Sequence, residues 1–179
     1  MKKAILVALA FAAAAGCSSY TWRSQVPEDM RTVYVPTFRN ETEVVELGAL
    51  ATGQTLREFQ REGTIRIASS DDAALEVQVV LKSAPVGMLN FKRSQSMRAY
   101  EHRMTLHAEM SLVDRRNGRV LVDNKSYHAE TTFFSDTDIV TSRRDASGRL
   151  AEDLARQIVD DVVGYRWKKP GEGAGNDKE

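Results

Sequence analysis

One cysteine occurs in the chain, Cys17, at the edge of the alanine run in "FAAAAGCSSYTW". With no second cysteine there is no internal disulfide, and an exported chain that keeps a lone thiol keeps it for a purpose. The other candidates for chemistry are His102, His107 and His128. His102 and His107 stand five apart on one expected strand, so alternation sends them to opposite faces and they form no metal pair there. His128 falls on the following strand, within reach of either, but a third ligand is not evident. Surface or partly buried histidines are therefore expected, and no metal or cofactor. No GxSxG elbow, HExxH helix, P-loop or GxGxxG turn occurs. No serine or aspartate has a spacing that singles out a nucleophile and its base. The pattern argues against an enzyme.

The basic clusters offer binding chemistry instead. "NFKRSQSMR" sets Lys92, Arg93 and Arg98 beside Met88, Leu89 and Phe91, in what reads as a loop between two strands. Arg143 and Arg144 fall near the start of the last helix, and "RRNGR" marks a hairpin tip. Taken singly, each is the kind of cluster that solvates a turn. A loop mixing Phe, Met and Leu with Lys and Arg nevertheless suits an amphiphile, because apolar atoms meet acyl chains while cations pair with phosphate or carboxylate. The 25 basic residues balance 25 acidic ones, which argues against a general nucleic-acid binder.

The N-terminus gives Cys17 its role. Lys2 and Lys3 precede an apolar run from Ala4 to Ala14. That run is shorter than the roughly 20 residues a membrane-spanning helix needs, and it matches a secretory signal peptide, residues 1–16. Ala14, Ala15 and Gly16 lead directly into Cys17, an order that resembles the lipobox of bacterial lipoprotein precursors. The resemblance implies that Cys17 is acylated and becomes the first residue of the mature chain. One acyl chain holds only marginally, at about 0.8 kcal/mol per buried methylene; three give stable anchoring. Ser18 and Ser19 are not the aspartate that retains such proteins at the inner membrane, so the expected location is the outer membrane, on its periplasmic side. Residues 17–31 read as a tether, 32–168 as one domain, and the Gly-rich 169–179 as a disordered tail.

The domain has to hold those clusters in place. "TVYVPTF" from Thr32 reads as a first strand. The segment from Asn40 to Gly63 reads as a helix, with Asn40 or Thr42 as cap and Gly63 as stop. Gly48 and Gly53 weaken that helix unless they allow close packing on the sheet. Leu75, Val77, Val79 and Leu81 alternate inward, as do Met104, Leu106, Ala108, Met110 and Leu112 on the next strand. Asn117-Gly118 is a hairpin turn. The return strand, about Arg119 to Phe134, has competing inward residues, Val120 and Val122 against Leu121, Tyr127 and Phe133, and a mid-strand bulge reconciles them. A last helix, capped by Asp136 or Asp138, carries Leu150, Leu154, Ile158 and Val162 on one stripe. The expected fold is α+β in the order β-α-β-β-β-α: a two-layer sandwich, two helices on one face of a mainly antiparallel four-stranded sheet.

Several of these features converge on one family. Tyr20 soon follows the cysteine, then Pro27 to Thr42 reads "PEDMRTVYVPTFRNET"; later come the Asn-Gly hairpin with "GRVL", then "YHAETTFF" and the amphipathic helix. This resembles the LptE-type lipopolysaccharide-assembly lipoproteins over roughly Cys17 to Lys168. The resemblance implies a non-catalytic plug inside a large outer-membrane β-barrel translocon, LptD, that assists barrel folding and lipopolysaccharide insertion. It also implies lipopolysaccharide contacts at Lys92 or Arg93 beside Phe91, and more loosely at Arg143 or Arg144. A regulatory lipoprotein docked on a cell-wall synthase is the rival expectation, since the "TVYVPTF" opening is also similar to strands of other envelope lipoproteins.

Overall fold

Strict alternation builds the centre of the molecule. The structure is a computed structural model that describes residues 26–93, 98–135 and 139–167, with the backbone alone for 90–93, 98–100, 135 and 139. After a 3-10 turn at Glu28–Met30, the elements are β1 (Thr32–Tyr34), β2 (Arg39–Asn40), α1 (Leu47–Glu62), β3 (Arg66–Ile67), β4 (Leu75–Ser83), β5 (Val86–Arg93), β6 (Arg98–Asp114), β7 (Arg119–Ser135) and α2 (Ile139–Val163). All the inward residues expected on β4 and β6 are buried, and they join the buried stripe of α2 in one core. That stripe includes Leu150, Leu154, Ile158 and Val162, each fully buried. No helix among the described residues is long and apolar enough to cross a membrane.

The sheet has seven strands and is mixed, not the four-stranded, mainly antiparallel sheet expected. β1 runs parallel to β3 and β4, and β2 runs parallel to β4. The helical crossover between β1 and β4 brings the chain back in the same direction, which is how parallel pairs arise. β2 and β3 have two residues each, too short to leave a period in the sequence.

The largest correction concerns the loop expected around Lys92. β4 pairs with β6 down to Ser83 opposite His107, and β5 resumes along the same edge with Val86 opposite Met104. Only Ala84 and Pro85 interrupt the run, and the Thr105 N–H donates to the Pro85 carbonyl at 3.1 Å, so the ladder carries across. Proline lacks a donor and breaks a strand locally without turning the chain. Phe91, Lys92 and Arg93 are therefore strand residues, paired in register with Tyr100, Ala99 and Arg98. The result is a three-stranded meander, β4 with β5, then β6, then β7, longer than the helices that cover it.

The mid-strand bulge in β7 is present. Asn124 has φ 44°, its N–H donates to Ser111 Oγ at 3.0 Å, and the register slips between Met110 and Leu112. Past the bulge Tyr127, Ala129 and Phe133 face the core. Before it Leu121 and Val122 are both half-buried, and Val120 is exposed.

The start of α1 also differs. The helix begins at Leu47, and Glu46 at its N-cap makes no side-chain cap bond. Asn40 accepts from the Thr42 N–H and donates to the carbonyls of Val44 and Val45, so Asn40 and Thr42 order an entry loop ahead of the helix. At the other end Gly63, at φ 78°, returns its N–H to the Phe59 carbonyl and stops the helix as expected. Asp136, Asp138, Cys17 and the 169–179 tail lie outside the described residues.

Candidate amphiphile-binding pole

The entry loop of α1, the β4–β5 junction and the start of α2 meet at one end of the meander. Glu41 to Glu43 line a hollow with Lys82 to Val86, and Glu43 to Glu46 line a second, of about 360 Å³, with Val140, Arg143 and Arg144. The end of β5, the start of β6, the end of β7 and the start of α2 belong to this same end, because β7 closes on β6 beside Tyr100.

Exposed apolar surface concentrates here. Of the seven large apolar side chains exposed among the described residues, only Val120 lies elsewhere; Val45, Val86, Met88, Leu89, Phe134 and Val140 belong to this pole. Val45 is 92% exposed, Val140 75% and Met88 65%, values that leave room for a further apolar contact. The helices account for this, since they pack over β6, β7, β2 and β3, and no substantial helix packing reaches β5.

The polar groups of the pole divide into engaged and unengaged. Lys82 sits 2.8 Å from Glu41, which Arg39 also pairs, and these two cations hold the Glu41 carboxyl below its ordinary range, Lys82 first. Lys82 is therefore occupied. Arg143 and Arg144 project from the early turns of α2, both exposed and without an ion pair among the described residues. The inward side of that turn is fixed by buried Ala146 and by Ser147, whose hydroxyl donates to the Arg143 carbonyl at 2.9 Å. Glu43 and Glu46, also unpaired there, line the same hollow as the two arginines.

The backbone of Phe91, Lys92 and Arg93 runs to the tip of β5, so these residues and Arg143–Arg144 fall at the same end of the fold. Val45, Phe134 and Val140 were not singled out from the sequence. The signal for one was available: Phe133 and Phe134 are adjacent on a strand, so one must face away from the core.

The histidines divide as alternation requires. His102 is buried and stacks on Phe133 with ring centroids 5.1 Å apart, while His107 faces out opposite His128. Among the described residues no three His, Cys, Asp or Glu side chains gather as a metal site.

No curated protein matches the sequence significantly. A hypothetical protein from Chlamydia trachomatis superposes with a TM-score of 0.52 at 14% identity, covering 75% of this chain and 96% of its own. A neuraminyllactose-binding haemagglutinin homologue from Helicobacter pylori superposes with a TM-score of 0.50 at 11% identity, covering 79% and 90%. A minor lipoprotein from Acinetobacter baumannii reaches 0.43 at 12% identity over 76% and 95%. The first two share the fold and nothing further at such identities. The sequence profile of the LptE family, described as lipopolysaccharide-assembly, matches residues 30–162, from before the first strand to the end of the last helix. The chain belongs to the LptE family.

Proposed function

We propose that this chain is a non-catalytic outer-membrane lipoprotein, anchored through Cys17, that partners a large β-barrel translocon of the LptD type in lipopolysaccharide transport and assembly at the cell surface. The observation that carries the reading is the pole itself. Exposed Val45 and Val140 line one hollow with Arg143 and Arg144, which have no ion pair among the described residues. Exposed Val86, Met88, Leu89 and Phe134 lie toward the same end of the fold. Acyl chains fit the apolar set and the phosphates of a lipid headgroup fit the arginines. The backbone of Phe91, Lys92 and Arg93 lies at this same end of the fold.

The dimensions support a plug. β6 has 17 residues, about 55 Å of strand at roughly 3.3 Å per residue. A bilayer with its headgroups is about 40–45 Å thick. A domain held at the periplasmic leaflet by one end therefore reaches the outer leaflet with the other. The exposed sheet face, with Arg103, His107, His128 and Glu130, suits a hydrated lumen, where no lipid-facing apolarity is needed.

The test is co-purification of the acylated protein from detergent-solubilised envelopes. A large outer-membrane barrel in stoichiometric amount supports the reading. A periplasmic cell-wall synthase in its place replaces it with the regulatory alternative.

A further inference from the structure

Both ends of the described chain meet at the pole opposite Arg143 and Arg144. Val26 is buried there, with its carbonyl accepting from Arg31 Nε at 3.1 Å. A groove of about 270 Å³ is lined by Asp29 and Met30 from the entry, Arg119 and Leu121 from β7, and Tyr165 and Trp167 from the exit. Tyr165 and Trp167 meet edge to face, with centroids 4.9 Å apart. Beside the β6–β7 turn Arg116 holds Asp114 at 2.9 Å and also Asp29, and Arg115 holds Glu76, while Glu28 is exposed and without an ion pair among the described residues. Asp71 lines a separate hollow beside Arg115. Arg119 and Arg166, both exposed, have no ion pair among the described residues, and Val120 beside them is exposed.

We propose that this second pole is a membrane-docking surface for anionic phospholipid headgroups, seated by Arg119, Arg166, Tyr165 and Trp167 on the leaflet that holds the anchor. The inference rests on the anchored reading of Cys17 given above. Val26 follows Cys17 by nine positions, so the tether spans at most about 30 Å. It keeps Val26, and the groove beside it, within about that distance of the leaflet. Unpaired guanidiniums face an anionic surface favourably, and Trp and Tyr settle at headgroup level. Tyr165 and Trp167 are half-buried, and Trp167 packs on the core with its indole N–H buried. Docked this way, the anchored chain stands upright before it meets the barrel, with Val45, Val140, Arg143 and Arg144 directed away from the leaflet.

The lone thiol allows a test that does not depend on native acylation. The chain from Cys17, which contains every residue of the described fold, is coupled through that cysteine to maleimide-headgroup lipid in vesicles containing phosphatidylglycerol. In a Trp22→Phe background Trp167 is the remaining tryptophan. Brominated lipids are expected to quench Trp167 in these vesicles and not in purely zwitterionic ones. Arg119→Glu with Arg166→Glu is expected to shift the docked-to-free ratio by about 30-fold or more toward free. An added indole from Val140→Trp is expected to stay unquenched. Equal emission of Trp167 with and without bromine, or stronger quenching at position 140, overturns the proposal. Native mass spectrometry of the Cys17 peptide judges the anchor separately: a bare thiol refutes acylation whatever the vesicles show.

Discussion

Tyr127 donates its hydroxyl to Asp161 Oδ2 at 2.5 Å, tying the middle of β7 to the last turns of α2, and Lys125 reaches the same oxygen. The phenol is largely buried, and burial, then the neighbouring carboxylate, pushes its pKa well above the ordinary value. Tyr127→Phe is expected to cost about 1 kcal/mol at neutral pH. A folded-state pKa above the unfolded one stabilises fully below about pH 10 and is lost as pH rises beyond it. Urea denaturation should therefore show the wild type losing stability above about pH 10 more steeply than Tyr127→Phe. Parallel curves would mean that the phenol ionises equally in both states.

At the β6–β7 turn Asp114 plays the opposite part. Its buried carboxylate accepts from the Arg116 side chain and backbone and from Asn117 Nδ2. The Arg116 hydrogen bond is the main cause holding its pKa below the ordinary value, against burial. That contribution is present above about pH 4 and lost as pH falls through the depressed pKa. Asp114→Asn is expected to lower stability at neutral pH by about 1–3 kcal/mol and to flatten the acid limb of the stability curve. Acid titration followed by circular dichroism checks both.

Gly48 lies where a Cβ would sit 3.1 Å from the Asn40 Cβ and 3.2 Å from the Phe38 carbonyl oxygen. The neighbouring backbone cannot easily yield, because the Phe38 N–H donates to Thr52 Oγ1, which itself donates to the Gly48 carbonyl. Gly48→Val is expected to destabilise by about 1–3 kcal/mol, from overpacking. Gly53 meets only the Arg57 guanidinium, at 3.9 Å, and Gly53→Ala is expected to be neutral or to stabilise by up to about 1 kcal/mol. Thermal melts of the two variants separate a contact from a propensity effect.

At the amphiphile pole, Arg143→Glu with Arg144→Glu is expected to weaken lipopolysaccharide binding by about tenfold or more. The melting temperature should stay near wild type, because both side chains are exposed. Glu43→Gln with Glu46→Gln should act in the other direction, since these carboxylates share the hollow with the arginines and repel phosphate. Binding isotherms at two salt concentrations are the check. Unchanged affinity in both double variants would remove this hollow from the binding surface.

The legible parts of the fold were those with a long, uninterrupted period. The alternation of Leu75 to Leu81 and of Met104 to Leu112, and the four-residue recurrence from Leu150 to Val162, each place a whole element by burial alone. The contradiction among Val120, Val122 and Tyr127 was itself the trace of the Asn124 bulge. Arg39–Asn40 and Arg66–Ile67 escaped because two residues carry no period, and they pair only through partners distant in sequence. Pro85 and the charged run after it disguised β5 as a loop, though β6 pairs with it across the break. The candidate pole was half legible. Its arginines and Met88 and Leu89 stood out by composition, whereas Val45 and Val140 acquire meaning only where α1 and α2 begin side by side.

The central claim is that lipopolysaccharide is handled at the end of the fold that carries Val140 and Met88. A photo-cross-linking amino acid placed at Val140, at Met88 and, as the opposite pole, at Val120 tests it in living cells. The account predicts adducts that react with anti-lipopolysaccharide antibody from positions 140 and 88 and none from position 120. Lipopolysaccharide adducts from position 120 alone, or adducts from 140 and 88 to a cell-wall synthase only, would contradict it.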